Sequence, residues 1–397
     1  MSEPILDIRG LCVDYVTDEG PVRAIDHLDL TVERGEVLGV AGESGSGKTT
    51  LAKAIMRILP PPAVITGGEI IFKGRDILSM DESGLQKMRW REISMVFQSA
   101  MDALNPVISV GEQIVDTLLA HETGPMESHV SPAEDALAEA LRPQGAGPIE
   151  NPTIPMGEQM VDTILAHDAG SAEWARDRAH RLLDLVGIPR DRLDSYAHQL
   201  SGGMRQRVGI ALALAMRPSV VILDEPTTAL DVIVEREILE RIRELQSELG
   251  FAVMFITHDL ARMLQVSDRV AVFYAARLAE VGPAPELRRS PRHPYTEGLL
   301  RAFPSVKPGG PEPVSIPGQP ASLRRPPSGC RFHPRCPLAV DACSKKQPGP
   351  TEFGPGHVSF CYRAEDMPTE ATEPGMPTEA TEPGMPTEAT EPGEGTS

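Results

Sequence analysis

The residues Gly42-Glu43-Ser44-Gly45-Ser46-Gly47-Lys48-Thr49 fit the pattern G-x-x-x-x-G-K-S/T, whose chemistry is the holding of phosphate. Its glycines let successive backbone N–H groups turn inward around a polyphosphate. Lys48 reaches the β- and γ-phosphates, and the Thr49 hydroxyl holds Mg2+. Gly42, Ser44, Gly45, Ser46, Gly47, Lys48, Thr49 and Thr50 are therefore expected around a nucleoside triphosphate. A second set of groups suits hydrolysis. The apolar run Ser219 to Leu223 ends in Asp224-Glu225-Pro226, where Asp224 can enter a Mg2+ shell and Glu225 can orient or deprotonate a water.

Elements of regular structure must hold these groups in place. The apolar run Val37-Leu38-Gly39-Val40 predicts a buried strand entering the loop, and Leu51 to Leu59 predicts the helix leaving it. Ile93 to Phe97 reads as a further strand, with Gln98 at its end. Several other residues have plain readings when taken singly. Tyr15 alternates with Leu11 and Val13 and is an ordinary strand aromatic. Ser201, followed by Gly202 and Gly203, is an ordinary helix N-cap, and His258 is a strand-end or helix-start residue.

Taken together and in order, these elements resemble the ATP-binding cassette (ABC) ATPases, over about Ile5 to Pro304. In that family Leu200-Ser201-Gly202-Gly203-Met204-Arg205-Gln206-Arg207 is the signature, Gln98 the Q-loop, Asp231 the D-loop and His258 the switch histidine. Tyr15 falls where the family places an aromatic on the adenine. The resemblance implies an α/β fold with a RecA-like P-loop core, an antiparallel β subdomain and a helical subdomain. It also implies ATP and Mg2+ as cofactors, with Gln98 joining Thr49 and Asp224 at the metal, and Lys48, Gln98, Glu225 and His258 as the catalytic set. Ser201, Gly202, Gly203 and Asp231 would complete the site of a second ATPase subunit, identical or a sister chain.

Beyond the cassette, His293-Pro294-Tyr295-Thr296 resembles the HPYT element of oligopeptide and dipeptide importer ATPases, a subgroup that includes nickel and glutathione importers. Leu104-Asn105-Pro106-Val107, Met204 and Ile316-Pro317-Gly318 agree with it. The implied setting is the cytoplasmic face of a membrane, with two transmembrane permease subunits and, indirectly, an extracytoplasmic substrate-binding protein. The rival classes are a soluble cassette ATPase of DNA repair or translation and a metal-responsive binding module in which the cassette is only a switch. The chain departs from the family at Tyr274-Ala275-Ala276-Arg277, where glycine is usual in place of Ala276; a left-handed turn there would be strained, at a place expected to be remote from the phosphates.

Composition sets the outer bounds. The 397 residues are 41% hydrophobic, normal for a globular protein, and no apolar run approaches the roughly 18 residues of a membrane span. The N-terminal residues lack the basic and apolar regions of a secretory signal, so a cytoplasmic chain is expected. The formal net charge is −19, but nine of the 57 acids and none of the 38 bases fall in 364–397. The rest is only mildly acidic, and no nucleic-acid partner is expected. That tail repeats MPTEATEPG three times and is expected to be disordered, as a solvated appendage or an acidic docking tail.

A second repeat lies inside the cassette. Asn105 to Gly124 recurs 46 positions later as Asn151 to Gly170, with thirteen of twenty positions identical. Each copy carries a helical apolar stripe: Ile114, Val115, Leu118 and Leu119 in the first, and Met160, Val161, Ile164 and Leu165 in the second. A local duplication in the helical subdomain (about 99–200, duplicated or inserted segment about 121–166) explains it, and either copy could take the family position.

Four of the five cysteines, Cys330, Cys336, Cys343 and Cys361, cluster toward the C-terminus. In a cytoplasmic chain such a group reads as a metal or cluster site before a disulfide framework. It resembles the cysteine-rich tail of peptide importer ATPases, some of which hold a 4Fe–4S cluster; zinc and unligated thiols are the alternatives. Arg331 and Arg335 are expected to offset thiolate charge. The expected organisation is 1–285 ATPase domain, 286–363 cysteine-containing extension and 364–397 tail.

Overall fold

The computed structural model describes residues 3–97, 108–121, 171–226, 232–302 and 312–367. Strands β1 (Leu6–Thr17), β2 (Gly20–Val32), β4 (Ala63–Phe72) and β5 (Arg75–Asp76) form an antiparallel sheet in the order β2-β1-β4-β5. Leu6, Ile8, Leu11 and Val13 of β1 are all buried; a register shift between Ile8 and Leu11 moves the inward positions from even to odd numbers.

The larger sheet is built from β3 (Val37–Gly42), β6 (Ile93–Val96), β7 (Val220–Asp224), β8 (Ala252–Ile256), β9 (Arg269–Tyr274), β10 (Arg277–Pro283), β11 (Thr351–Gly354) and β12 (His357–Ser359). Its order is β11-β12-β10-β9-β3-β8-β7-β6. From β6 through β9 the neighbours are parallel, and beyond β9 they are antiparallel. The parallel strands are apolar throughout because both faces are covered. Val220 and Ile222 pack with the antiparallel sheet and the helix Lys48–Ile55, whereas Val221 and Leu223 pack on the other face with the helix Val232–Leu249. This is the α/β architecture expected from the sequence.

The helix after the phosphate loop is shorter than its apolar run suggests. It ends at Ile55, Arg57 adopts a left-handed φ of 53°, and Pro60, Pro61 and Pro62 follow, which cannot supply helical N–H groups. The helix Val110–His121 begins with a reciprocal cap: Ser109 N–H donates to Glu112 Oε2 at 2.6 Å, and Glu112 N–H donates to Ser109 Oγ at 3.2 Å. Its Val110 and Ile114 are buried against the helix Ser171–Leu185, so the first copy of the internal repeat packs on the helix leading to the signature. The second copy, Asn151–Gly170, lies outside the described residues, as do 122–150 and the repeats beyond Met367.

The C-terminal extension is not a separate lobe, since it supplies β11 and β12 to the main sheet. Ala364 and Met367 are also buried, so these first residues of the expected tail are not solvated. Among the described residues no helix is long and apolar enough to cross a membrane.

Candidate active site

The functional groups gather at the carboxyl ends of the parallel strands, where β3, β7 and β8 lie side by side. β3 runs into the phosphate loop. Two of its glycines are required by space and by backbone: a Cβ on Gly42 would stand 2.2 Å from Phe273 O, and one on Gly47, at φ 107°, would stand 2.3 Å from Ala24 O. The Lys48 side chain folds under the loop, with Nζ donating to Gly42 O at 2.8 Å and Glu43 O at 3.0 Å. Burial pushes its ammonium down, against the opposing pull of Glu225, Asp224 and Glu43.

Thr49 Oγ1 donates to Asp224 Oδ1 at 3.1 Å, which brings the two expected Mg2+ groups together. Asp224 is buried, and that burial raises its carboxyl, opposed by the Thr49 bond and reinforced by Glu225. A divalent cation would relieve such a carboxylate. Ser46 Oγ is buried without a hydrogen-bond partner, an orphan donor suited to a phosphate oxygen. The loop and the Thr49–Asp224 pair thus fit ATP and Mg2+.

Glu225 follows the end of β7 in a left-handed conformation, φ 47°, with its N–H donating to Ile256 O at 2.9 Å. That contact brings it to the end of β8, where His258 Nδ1 stands 3.4 Å from Glu225 Oε1. Asp259 caps the helix Leu260–Val266, so His258 occupies the strand-to-helix junction. Tyr15 Oη is 3.3 Å from Thr50 Oγ1, placing the β1 aromatic beside the start of the loop helix. Ser201 does cap its helix, accepting from Met204 N at 3.3 Å. A Cβ on Gly203 would come within 2.7 Å of Val234 Cγ1, so this glycine admits the helix Val232–Leu249. Gln98 and Asp231 lie outside the described residues.

Two expectations about the surroundings are corrected. The turn Ala275-Ala276 is left-handed at both residues, φ 46° and 70°, but it is not remote from the loop: Ala276 N–H donates to Ser46 O at 3.0 Å. Arg331 and Arg335 do not serve the thiols. Arg331 Nη2 lies 2.5 Å from Asp26 Oδ2, with Nη1 on Ala275 O, and Arg335 Nη1 reaches both oxygens of Glu43 at 3.0 and 2.9 Å. Burial pushes Cys330 up to about 11 and Cys361 up to about 12, with the neighbouring cysteines adding to it, and Cys336 is raised in the same way.

Among the described residues one trio of metal-ligating atoms lies within 4.8 Å, from Cys12, Asp26 and His27. Asp26 is already held by Arg277, Arg331 and His27, so this is an ion-pair network and not a cation site.

The sequence reading missed Glu43, Tyr295 and Arg335. His293 is buried and caps the helix Pro294–Arg301, its Nδ1 accepting from Tyr295 N at 3.0 Å. Tyr295, fully buried, then accepts the Glu43 N–H at 3.0 Å through its hydroxyl. A carboxylate inside a phosphate loop was the available signal, since it calls for a cation somewhere in the chain.

The model of the ABC transporter family matches residues 25–228, and the model described as "Oligopeptide/dipeptide transporter, C-terminal region" matches 279–343. The chain is 38% identical over 364 residues to the oligopeptide transport ATP-binding protein OppD of Escherichia coli K12, covering 91% of this chain and 94% of that one. It is 36% identical over 376 residues to the dipeptide transport ATP-binding protein DppD of Bacillus subtilis 168, covering 94% and 98%. Among solved structures, a dimeric post-hydrolysis state of the ATP-binding cassette MJ0796 bound to ADP and Pi matches with a TM-score of 0.54 at 23% identity, covering 70% of this chain and 98% of that one. The last is a likeness of fold, while the first two extend over nearly the whole sequence. This chain belongs to the ABC transporter family and is one of its ATPases.

Proposed function

We propose that this ATPase energises an importer of oligopeptides or dipeptides. The observation carrying the proposal is that the HPYT region, the part similar to peptide transporter ATPases, is built into the nucleotide site through the Tyr295–Glu43 bond. Within this reading Lys48, Ser46 and the loop amides bind the phosphates, and Tyr15 receives the adenine. Thr49, Asp224 and Gln98 would hold Mg2+, which when bound would neutralise phosphate charge. Glu225 orients the attacking water and takes its proton, while His258 orders the γ-phosphate side of that water. Ser201, Gly202, Gly203 and Asp231 face the nucleotide of a second ATPase subunit. Closure and reopening of that dimer move two permease subunits on the cytoplasmic face, fed by an extracytoplasmic binding protein.

The same reading gives the cysteines a 4Fe–4S cluster. Four sulphurs are gathered by one short extension, which supports a cluster. Zinc and unligated thiols are the alternatives. Iron and acid-labile sulphide in anaerobically purified protein would support it, and zinc alone would reject it.

The function is tested by mild-detergent capture of a Glu225→Gln variant with ATP from its native membrane. Co-purification of two permeases and a peptide-binding protein is expected. Ribosomal or DNA-repair partners would overturn the importer reading.

A further inference from the structure

Glu43 is an acidic residue inside the phosphate loop, directly after Gly42. Its backbone carbonyl accepts from Lys48 Nζ, and its carboxylate acts on the Lys48 ammonium, the group that would meet a triphosphate. A carboxylate in this position repels phosphate unless it is compensated. Arg335 compensates it, lying along both carboxylate oxygens at 3.0 and 2.9 Å. The arginine is aimed by its surroundings. Its Nε donates to Pro317 O at 2.8 Å, its Nη1 donates to Tyr274 Oη at 3.3 Å, and its guanidinium stands 5.8 and 5.9 Å from the ring centres of Tyr274 and Phe332. Its side chain is only 6% exposed. The loop backbone is held separately, by the neutral Glu43 N–H to Tyr295 Oη bond. What Arg335 contributes beyond that bond is charge.

We propose that Arg335 is a positioning residue of the nucleotide site that cancels the Glu43 carboxylate, so that the C-terminal extension sets the loop's affinity for a triphosphate. The proposal rests on the ATP-binding reading of the loop, and it makes a prediction of sign that mechanical fastening does not. If charge is what matters, the Arg335–Glu43 pair is neutral in the wild type, one charge more negative in Arg335→Gln, one charge more positive in Glu43→Gln, and neutral again in the double variant.

The test is an equilibrium titration of the full-length chain with a fluorescent ATP analogue and Mg2+, with Lys48→Ala as the control that the signal reports the loop. Arg335→Gln is expected to bind about fivefold more weakly and Glu43→Gln about threefold more tightly, the size of a single charge acting through partly solvated protein. The double variant should return to within about twofold of wild type, and all differences should shrink at about 0.5 M salt. If Arg335 only fastens the extension, Glu43→Gln weakens binding as Arg335→Gln does and the double variant is no worse than either. That pattern overturns the proposal. Should Arg335→Gln fail to fold, the sign of the Glu43→Gln change decides alone. A wild-type chain that does not bind the analogue removes the ATP-binding reading and the proposal with it, whereas wild-type binding with the wrong sign for Glu43→Gln removes the proposal only.

Discussion

Acidification should weaken this fold through His293, by an amount that follows from its burial. The ring is buried, and burial lowers its pKa from 6.5 to about 3. Its Nδ1 is therefore free to accept the Tyr295 N–H that starts the helix Pro294–Arg301. Below pH 6.5 the unfolded chain binds a proton on this ring, and the folded chain does not until about 3. The stability linked to His293 is thus complete above pH 6.5 and lost as pH falls toward about 3. At about pH 5 the unfolded ring is almost fully protonated and the folded ring neutral, a loss of roughly 2 kcal/mol relative to neutral pH. His293→Asn keeps a capping acceptor without a titrating group. Urea unfolding of both proteins at about pH 7.5 and pH 5 should show the wild type losing roughly 2 kcal/mol more than the variant. Equal losses would falsify the assignment.

Gly47→Ala puts a methyl against Ala24 O at a φ closed to alanine, so nucleotide titration should show affinity falling more than about tenfold while the sheet still folds; wild-type affinity would contradict this. Ser201→Ala removes a cap worth about 1 kcal/mol and should leave the isolated chain's nucleotide affinity unaltered, while ATPase activity of the assembled complex drops at least about tenfold. Full activity in the complex would reduce Ser201 to its capping role. Ala276→Gly relieves a left-handed alanine and should raise unfolding stability by about 1 kcal/mol. A lower urea midpoint would show that the buried methyl matters more than the backbone strain.

The loop, the carboxylate-ended strand and the strand entering the loop are legible in the sequence because they obey local rules. Glycine and lysine spacing, apolar continuity and a terminal Asp-Glu pair all lie within a dozen residues of one another. The strain at Ala275-Ala276 is legible for the same reason, since a two-residue turn between paired strands imposes it. Helix length was less readable, because the apolar run to Leu59 is cut by Arg57 and the prolines that follow. What Tyr295, Arg331 and Arg335 touch is not legible at all. Their partners Glu43 and Asp26 lie 252 to 305 positions away, and only the sheet order brings them together. Sequence neighbourhood pointed the two arginines at the adjacent thiols, but tertiary pairing commits them to carboxylates of the cassette.

Pairing of β12 with β10, Glu280 opposite Ser359 and Val281 opposite Val358, also constrains how the protein can be made. A chain emerging from a ribosome displays its phosphate loop early, yet the arginine that neutralises that loop comes 292 residues after Glu43, and the strand beside β10 comes later still. Until then β10 presents an unpaired edge and Glu43 an uncompensated charge. The nascent cassette should therefore bind nucleotide several-fold more weakly and carry an adhesive flank until Arg335 and β12 have been made.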